Sequence, residues 1–256
     1  MRRRLLWSGG LTIGMYLLVP EQVTAFGTAI AAIRVPSNAV IAADSRVVDG
    51  NGMRMPDECK IRVVGGAVYT AHGMSTHAAT GFDLFRLVSA DLRRAGDLWS
   101  VVARIAGSVV GPLAEALTEM RKTDQAAFKR ATTGAAVGVI LARHEAGEPQ
   151  LASVRLLARA DASNAAQIVP DIRICPGSEC PQGIAAVWVS PSEDRLAFQR
   201  AHPEYWKEDL TKVAAAFVQG EIERGFRDVG PPIDVVQVVG ERIVWVQRKK
   251  GCVDER

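Results

Sequence analysis

Three polar residues stand at fixed intervals in an apolar background: Thr28, Asp44 sixteen residues later, and Lys60 sixteen after that. A hydroxyl, a carboxylate and an amine are the ingredients of a nucleophile whose proton is managed by an ion pair. If Thr28 became the first residue of a processed chain, its own α-amino group would lie beside its hydroxyl. An α-amine titrates at about 7.7–8.0, so it can act as a base near neutral pH. A lysine beside that hydroxyl favours the alkoxide, and an aspartate paired with the lysine keeps it charged inside an apolar sheet. The plain alternative for Asp44 and Lys60 is an inter-strand ion pair with no chemistry.

The elements that must position these groups read as strands. Gly27 to Arg34 is a β-branched and alanine-rich run, followed by a turn at Pro36-Ser37-Asn38 and a second run over Val40 to Arg46. A third begins at Asp57-Glu58-Cys59-Lys60-Ile61, and Lys60 to Val64 with Ala67 to Ala71 reads as a hairpin about Gly65-Gly66. His72-Gly73 ends that hairpin.

This set resembles the proteasome β-subunit group, including the bacterial HslV-type peptidases, within the N-terminal-nucleophile hydrolases. In that family a glycine precedes the threonine, an aspartate stands sixteen residues on and a lysine thirty-two on. Gly27, Thr28, Asp44 and Lys60 meet the pattern without a gap, and Arg46 matches the arginine that follows the aspartate by two. The likeness is clearest over Thr28 to about Ser75 and returns more weakly near the C-terminus. It implies self-cleavage between Gly27 and Thr28, an acyl-enzyme on Thr28 and a threonine-type peptidase or amide hydrolase without cofactor or metal. It also implies Arg46 as a supporting residue, Gly73 as the backbone donor to the oxyanion, a peptide or amide substrate and a homo-oligomeric ring. A small residue is needed at Gly73 so that backbone and substrate carbonyl can approach closely. An ordinary strand-to-helix turn capped by Ser75 or Thr76 is compatible with that role. His72 reads equally as a pocket residue or as a packed histidine. The family's Ser-Gly-Gly loop and Asp-x-x-Ser segment have no evident match. Ser190, Ser192, Asp194 and Asp209 stand as candidates for those supporting roles. Two rival readings are a small-molecule amidase with the same nucleophile, and a non-catalytic subunit or binding protein in which Thr28 is never exposed.

Composition excludes other classes. A 256-residue chain with 48% apolar residues can bury a sizeable core, and a net charge of +3 with acids and bases interspersed does not argue for nucleic acid. Arg248-Lys249-Lys250 reads as a solvated tail. Met1-Arg2-Arg3-Arg4, the apolar run Leu5 to Val19 and the small-residue end Val23-Thr24-Ala25 have the order of an export signal, too short for a stable membrane span. The expected location is therefore exported, periplasmic or secreted; the alternative is a cytoplasmic chain with residues 1–27 as a propeptide. Cleavage after Ala25 would leave Phe26-Gly27 ahead of the threonine, so a second cut is needed. The four cysteines Cys59, Cys175, Cys180 and Cys252 permit two disulfides in three connectivities. Cys175 and Cys180 flank a Pro-Gly turn that can close locally, and no cysteine or histidine set has zinc spacing.

Further along, helical spacing covers Thr76 to Arg94 and Leu98 to Arg121, the second with Pro112 inside it. Strands are expected at Ala135–Ala142, Leu151–Ala158, Ile168–Ile174 and Ile184–Val189. A helical region breaking at Gly220 is expected over His202–Arg227, and a closing hairpin at Ile233–Val239 and Arg242–Gln247. Strands, helices, strands, helices and strands in that order give an α+β protein. The resemblance implies a four-layer αββα sandwich of two mainly antiparallel sheets between helical layers, the Ntn-hydrolase fold. Residues 28–256 are expected to form one domain, with 1–27 as signal peptide and/or propeptide.

Overall fold

The computed structural model describes residues 27–46, 59–161, 165–178, 180–191, 195–252 and 254. The export-signal reading of residues 1–26, the strand start at Asp57-Glu58 and the candidates Ser192 and Asp194 lie outside the described residues.

In chain order the strands and helices are β1 (Ile30–Val35), β2 (Asn38–Asp44), β3 (Ile61–Val64), β4 (Ala67–Gly73), the two-residue strands β5 (Thr76–His77) and β6 (Phe82–Asp83), α1 (Leu84–Leu92), α2 (Leu98–Thr123) and α3 (Gln125–Ala131). There follow β7 (Thr133–Glu145), β8 (Glu148–Ala160), β9 (Ala166–Cys175), β10 (Ala185–Val189), α4 (Arg195–Ala201), α5 (Leu210–Glu223), β11 (Ile233–Val239) and β12 (Arg242–Gln247). One five-stranded sheet runs β10-β1-β2-β11-β12 and the other β3-β4-β7-β8-β9. Neighbouring strands in both sheets pair antiparallel. With helices on the two outer faces, this is the αββα sandwich.

Three cores explain the layers. In β1, Ile30 and Ala32 point between the sheets, while Ala29, Ala31 and Ile33 around them point toward α5. Because both faces are covered, the strand reads as an unbroken apolar run with no polar alternation. In β4, Val68 points between the sheets and Tyr69 and Ala71 toward α1 and α2. α2 is long and apolar enough to cross a membrane by length and composition. Here Val101, Val102, Ile105, Val109, Leu113 and Leu117 recur near every fourth residue and bury against the second sheet. The helix continues through Pro112.

Several boundaries differ from the sequence reading. The expected helix over Thr76–Arg94 starts only at Leu84, because Asp83 caps it by accepting the Arg86 N–H at 3.0 Å. The residues before it fold into the small β5–β6 pair, with Gly81 in the left-handed region at φ 68°. The region His202–Arg227 contains a short 3-10 helix at Tyr205–Lys207 and an α-helix only over α5, which starts at the Asp209 cap and passes Gly220 unbroken. α3 was not expected; seven residues are too few for a periodic signal, and Asp124 starts it by accepting the Ala127 N–H at 2.9 Å.

Both cysteine pairs are bonded: Cys175 with Cys180, and Cys59 with Cys252 across a sequence separation of 193. At the end of β1, Arg34 is fully buried and donates to Pro149 O at 2.8 Å, to Gly183 O and to the Glu148 carboxylate, which ties the first sheet to the β7–β8 turn.

His72, on the inter-sheet face of β4, sits over Gly138 of β7: a Cβ on Gly138 would stand 1.9 Å from its Nε2. Burial and the nearby Arg155 guanidinium lower its pKa from 6.5 to about 4. The fold therefore holds the neutral ring. The stability this contributes is complete above about pH 6.5 and is lost as pH falls from there towards about 4, an effect of ~3 kcal/mol. Urea unfolding of wild type and His72→Gln at pH 7 and pH 4.5 reads this directly: the wild type should lose more stability between the two than the variant.

Candidate active site

The antiparallel β1–β2 hairpin pairs Ile30 with Ala43, which places Ala29 and Asp44 opposite each other at its open end. Asp44 N donates to Ala29 O at 3.1 Å, and the Asp44 carboxylate turns back to accept the Ala29 N–H at Oδ1, 3.0 Å. On its other side β11 pairs Ile233 with Asp44, and the Gly230 N–H reaches Oδ2 at 3.1 Å. The Arg46 N–H adds a second donor to Oδ2 at 3.1 Å. The carboxylate is fully buried.

Lys60 enters this cluster from the second sheet, one residue ahead of β3. Its Nζ lies 2.9 Å from Asp44 Oδ1, 3.3 Å from Thr28 Oγ1 and 3.4 Å from Gly27 O. Thr28 and Lys60 are each 6% exposed. Burial pushes the Asp44 carboxyl above its ordinary value, and Lys60 with the backbone donors pulls the other way. One amine thus touches the hydroxyl, the carboxylate that anchors it, and the carbonyl of the Gly27–Thr28 peptide bond. Such a cluster can hold a threonine oxygen beside a positive charge in a water-poor site.

Of the residues singled out in the sequence, Gly27, Thr28, Asp44 and Lys60 are brought together. Arg46 joins through its backbone, while its guanidinium Nη1 donates to Arg227 O at 3.3 Å, away from the hydroxyl. Gly73 ends β4, opposite Val137. Its φ is +83°, and a Cβ there would lie 2.3 Å from Ala136 O, so only glycine fits. Ser190 follows β10, whose Val189 pairs with Ile30, so it stands at the same sheet end as Thr28. Its hydroxyl donates to Glu221 Oε2 at 2.6 Å, and Glu221 is held by Arg224 at 2.5 Å. Asp209 is the cap of α5, accepting from Thr211 N at 3.1 Å, and is no part of the cluster.

Asp228 escaped the sequence reading. A Cβ on Gly27, itself at φ +52°, would stand 2.3 Å from Asp228 Cβ, so this acid packs against the residue before Thr28. Its signal was an acid just ahead of the Gly230-Pro231-Pro232 break that leads into β11.

No protein-family model and no curated protein matches the chain. Among solved structures it is similar to Anbu (ancestral beta-subunit) from Yersinia bercovieri, with a TM-score of 0.52 and 14% identity over 85% of this chain and 86% of that one. It is also similar to an Anbu (Gly-1) mutant from Hyphomicrobium sp. strain MC1, with a TM-score of 0.47 and 17% identity over 88% of this chain and 90% of that one. The fold is proteasome-like. These findings correct the sequence reading that set the chain in the proteasome β-subunit and HslV-type group of N-terminal-nucleophile hydrolases. The Yersinia bercovieri structure is an Anbu protein, no family model supports that placement, and at 14% identity the likeness is one of fold alone.

Removing one partner of a buried pair leaves the other charge uncompensated. Asp44→Ala strands Lys60 and also deprives the Ala29, Arg46 and Gly230 N–H groups of their acceptor. It should cost about 3–5 kcal/mol in urea unfolding. Lys60→Met, which leaves those backbone donors in place on Asp44, should cost less.

Proposed function

We propose that this chain is a threonine-type amide hydrolase acting on peptide or amide bonds, activated by cleavage between Gly27 and Thr28. The observation that carries the reading is the single Lys60 amine lying 3.3 Å from Thr28 Oγ1 and 2.9 Å from Asp44 Oδ1. In the mature chain the freed α-amine of Thr28 takes the hydroxyl proton, Oγ1 attacks the substrate carbonyl, the substrate C–N bond breaks with that proton passing to the departing amine, and water hydrolyses the acyl-enzyme to release the carboxylate. Lys60 lowers the energy of the alkoxide, and Asp44 keeps Lys60 charged and in place. We assign the oxyanion to the backbone N–H of Gly73, where a side chain would collide with Ala136 O.

Cleavage uses the same groups. Thr28 Oγ1 adds to the Gly27 carbonyl, whose oxygen already faces Lys60 Nζ at 3.4 Å. The Gly27–Thr28 C–N bond then breaks as the hydroxyl proton passes to the departing Thr28 nitrogen, and water hydrolyses the resulting ester to free the α-amine and the Gly27 carboxylate. We further propose that the chain is exported. The two bonded cysteine pairs support this, because such bonds persist in oxidising compartments. Assembly of several copies rests on the name ancestral beta-subunit of one structural neighbour.

N-terminal sequencing of the purified protein tests the reading, beside a Thr28→Ala variant. Wild type should begin at Thr28, while the variant should keep Gly27 and any residues ahead of it. Lys60→Ala should slow the same cut by on the order of a hundredfold or more, the scale of losing an oxyanion-type donor. If wild type and Thr28→Ala both retain Gly27, a non-catalytic proteasome-like subunit becomes the better reading.

A further inference from the structure

We propose that the Cys59–Cys252 disulfide is a positioning staple for Lys60, so that breaking it uncouples the amine from Asp44 and Thr28. The proposal rests on the threonine-nucleophile reading and adds its redox control. Lys60 lies just ahead of β3, an edge strand of one sheet, and Cys252 follows β12, an edge strand of the other. The disulfide joins those two edges at a Cα–Cα distance of 5.7 Å, one residue from Lys60.

The tail that carries Cys252 is fixed at a second point. Asp234, 1% exposed, accepts the Lys249 N–H at 2.6 Å and the Ser45 hydroxyl at 3.1 Å. Ser45 directly follows Asp44. The segment from Lys249 to Cys252 is therefore fastened beside both members of the ion pair, by a hydrogen-bonded carboxylate on one side and a covalent bond on the other. β3 begins at Ile61, opposite Thr70, so Cys59 and Lys60 form the approach to that strand. Cys59 is half-buried and Cys252 buried. In the switching step a small dithiol supplies two electrons and two protons, the S–S bond breaks, Cys59 and Cys252 become thiols, and the reductant closes to its own disulfide.

The test uses the full chain in four forms: oxidised, treated with dithiothreitol, Cys59→Ser/Cys252→Ser, and Cys175→Ser/Cys180→Ser. The last assigns any dithiothreitol effect to the remaining bond. Amide hydrogen exchange over residues 59–64 reports the position of Lys60, and labelling of Thr28 by a β-lactone across pH reports reactivity. Loss of the staple should raise exchange at 59–64 and lower labelling by about tenfold, equal to one unit of the nucleophile's effective pKa. The pH limb should move to higher pH, near-UV circular dichroism should be unchanged, and oxidised glutathione should restore all three. Unchanged exchange at 59–64 in the reduced, folded chain overturns the staple. Loss of the whole fold on reduction, or an equal rise in exchange across both sheets, overturns it too, since either marks a bond that only stabilises. Should the double serine variant fail to fold, reversible reduction of the wild type carries the same readouts. If the oxidised wild type does not label at all, the threonine reading falls by itself, while the exchange measurement still decides the staple.

Discussion

The Asp44 carboxylate is a fully buried negative charge, and the geometry around it follows from the need to satisfy it. Four donors converge on its two oxygens: Ala29 N, Lys60 Nζ, Arg46 N and Gly230 N. They come from the start of β1, the approach to β3, the end of β2 and the approach to β11. A charge placed in such surroundings without partners would cost several kcal/mol. The four segments therefore cannot drift independently without exposing that cost. Thr28 is placed as a consequence, since it lies one residue before a backbone N–H that the carboxylate holds.

The inter-sheet face of β1 extends the same logic. Ile30 and Ala32 supply the apolar middle of that face, and polar residues close both ends. Thr28 meets Lys60 at one end, and Arg34 meets Glu148 and Pro149 O at the other. Apolar burial drives the sheets together without direction. The two polar ties supply register, because each requires particular atoms of the opposite sheet at hydrogen-bonding distance. The disulfide at Cys59 reinforces the tie that carries the candidate chemistry.

Most of the strand framework was legible in the sequence. The β1–β2 and β3–β4 hairpins, β7 to β10 and the closing β11–β12 hairpin were all anticipated, because apolar runs bounded by Gly, Pro and Asn mark buried strands well. The cluster of Gly27, Thr28, Asp44 and Lys60 was legible for a different reason: polar residues in such runs stand out, and few pairings explain a buried lysine. What failed were features decided by contacts distant in sequence or by single caps. Leu84 rather than Thr76 opens α1, since Asp83 takes the capping bond although apolar periodicity alone extends further back. Asp228 offered only an acid ahead of the Gly-Pro-Pro break, and its position against Gly27 depends on how α5 returns the chain to β11. The partner of Cys59 could not be chosen from three connectivities, because it lies 193 residues away. Asp209 is the converse case: one of several candidates for a supporting role in the sequence, it has its side chain occupied by the backbone N–H groups that start α5.

Fold and chemistry are separate claims in this molecule. A likeness of 14% identity to an ancestral beta-subunit carries the architecture, and many activities can share one architecture. The chemical claim stands instead on an economy at Lys60. In the uncleaved chain the Thr28 nitrogen is acylated by Gly27 and cannot serve as a base, so any self-cleavage must begin without the α-amine. The structure provides one cation in contact with both the attacking oxygen and the oxygen of the bond to be opened. Negative charge grows on those two atoms in turn as Oγ1 adds to the carbonyl, and a fixed ammonium between them stabilises both stages. Once Gly27 departs, its carbonyl leaves the amine facing the nucleophile and the incoming substrate. In the proposed chemistry, then, processing and turnover make the same electrostatic demand, and a plain inter-sheet ion pair would have no reason to place its lysine against both Thr28 and the carbonyl before it.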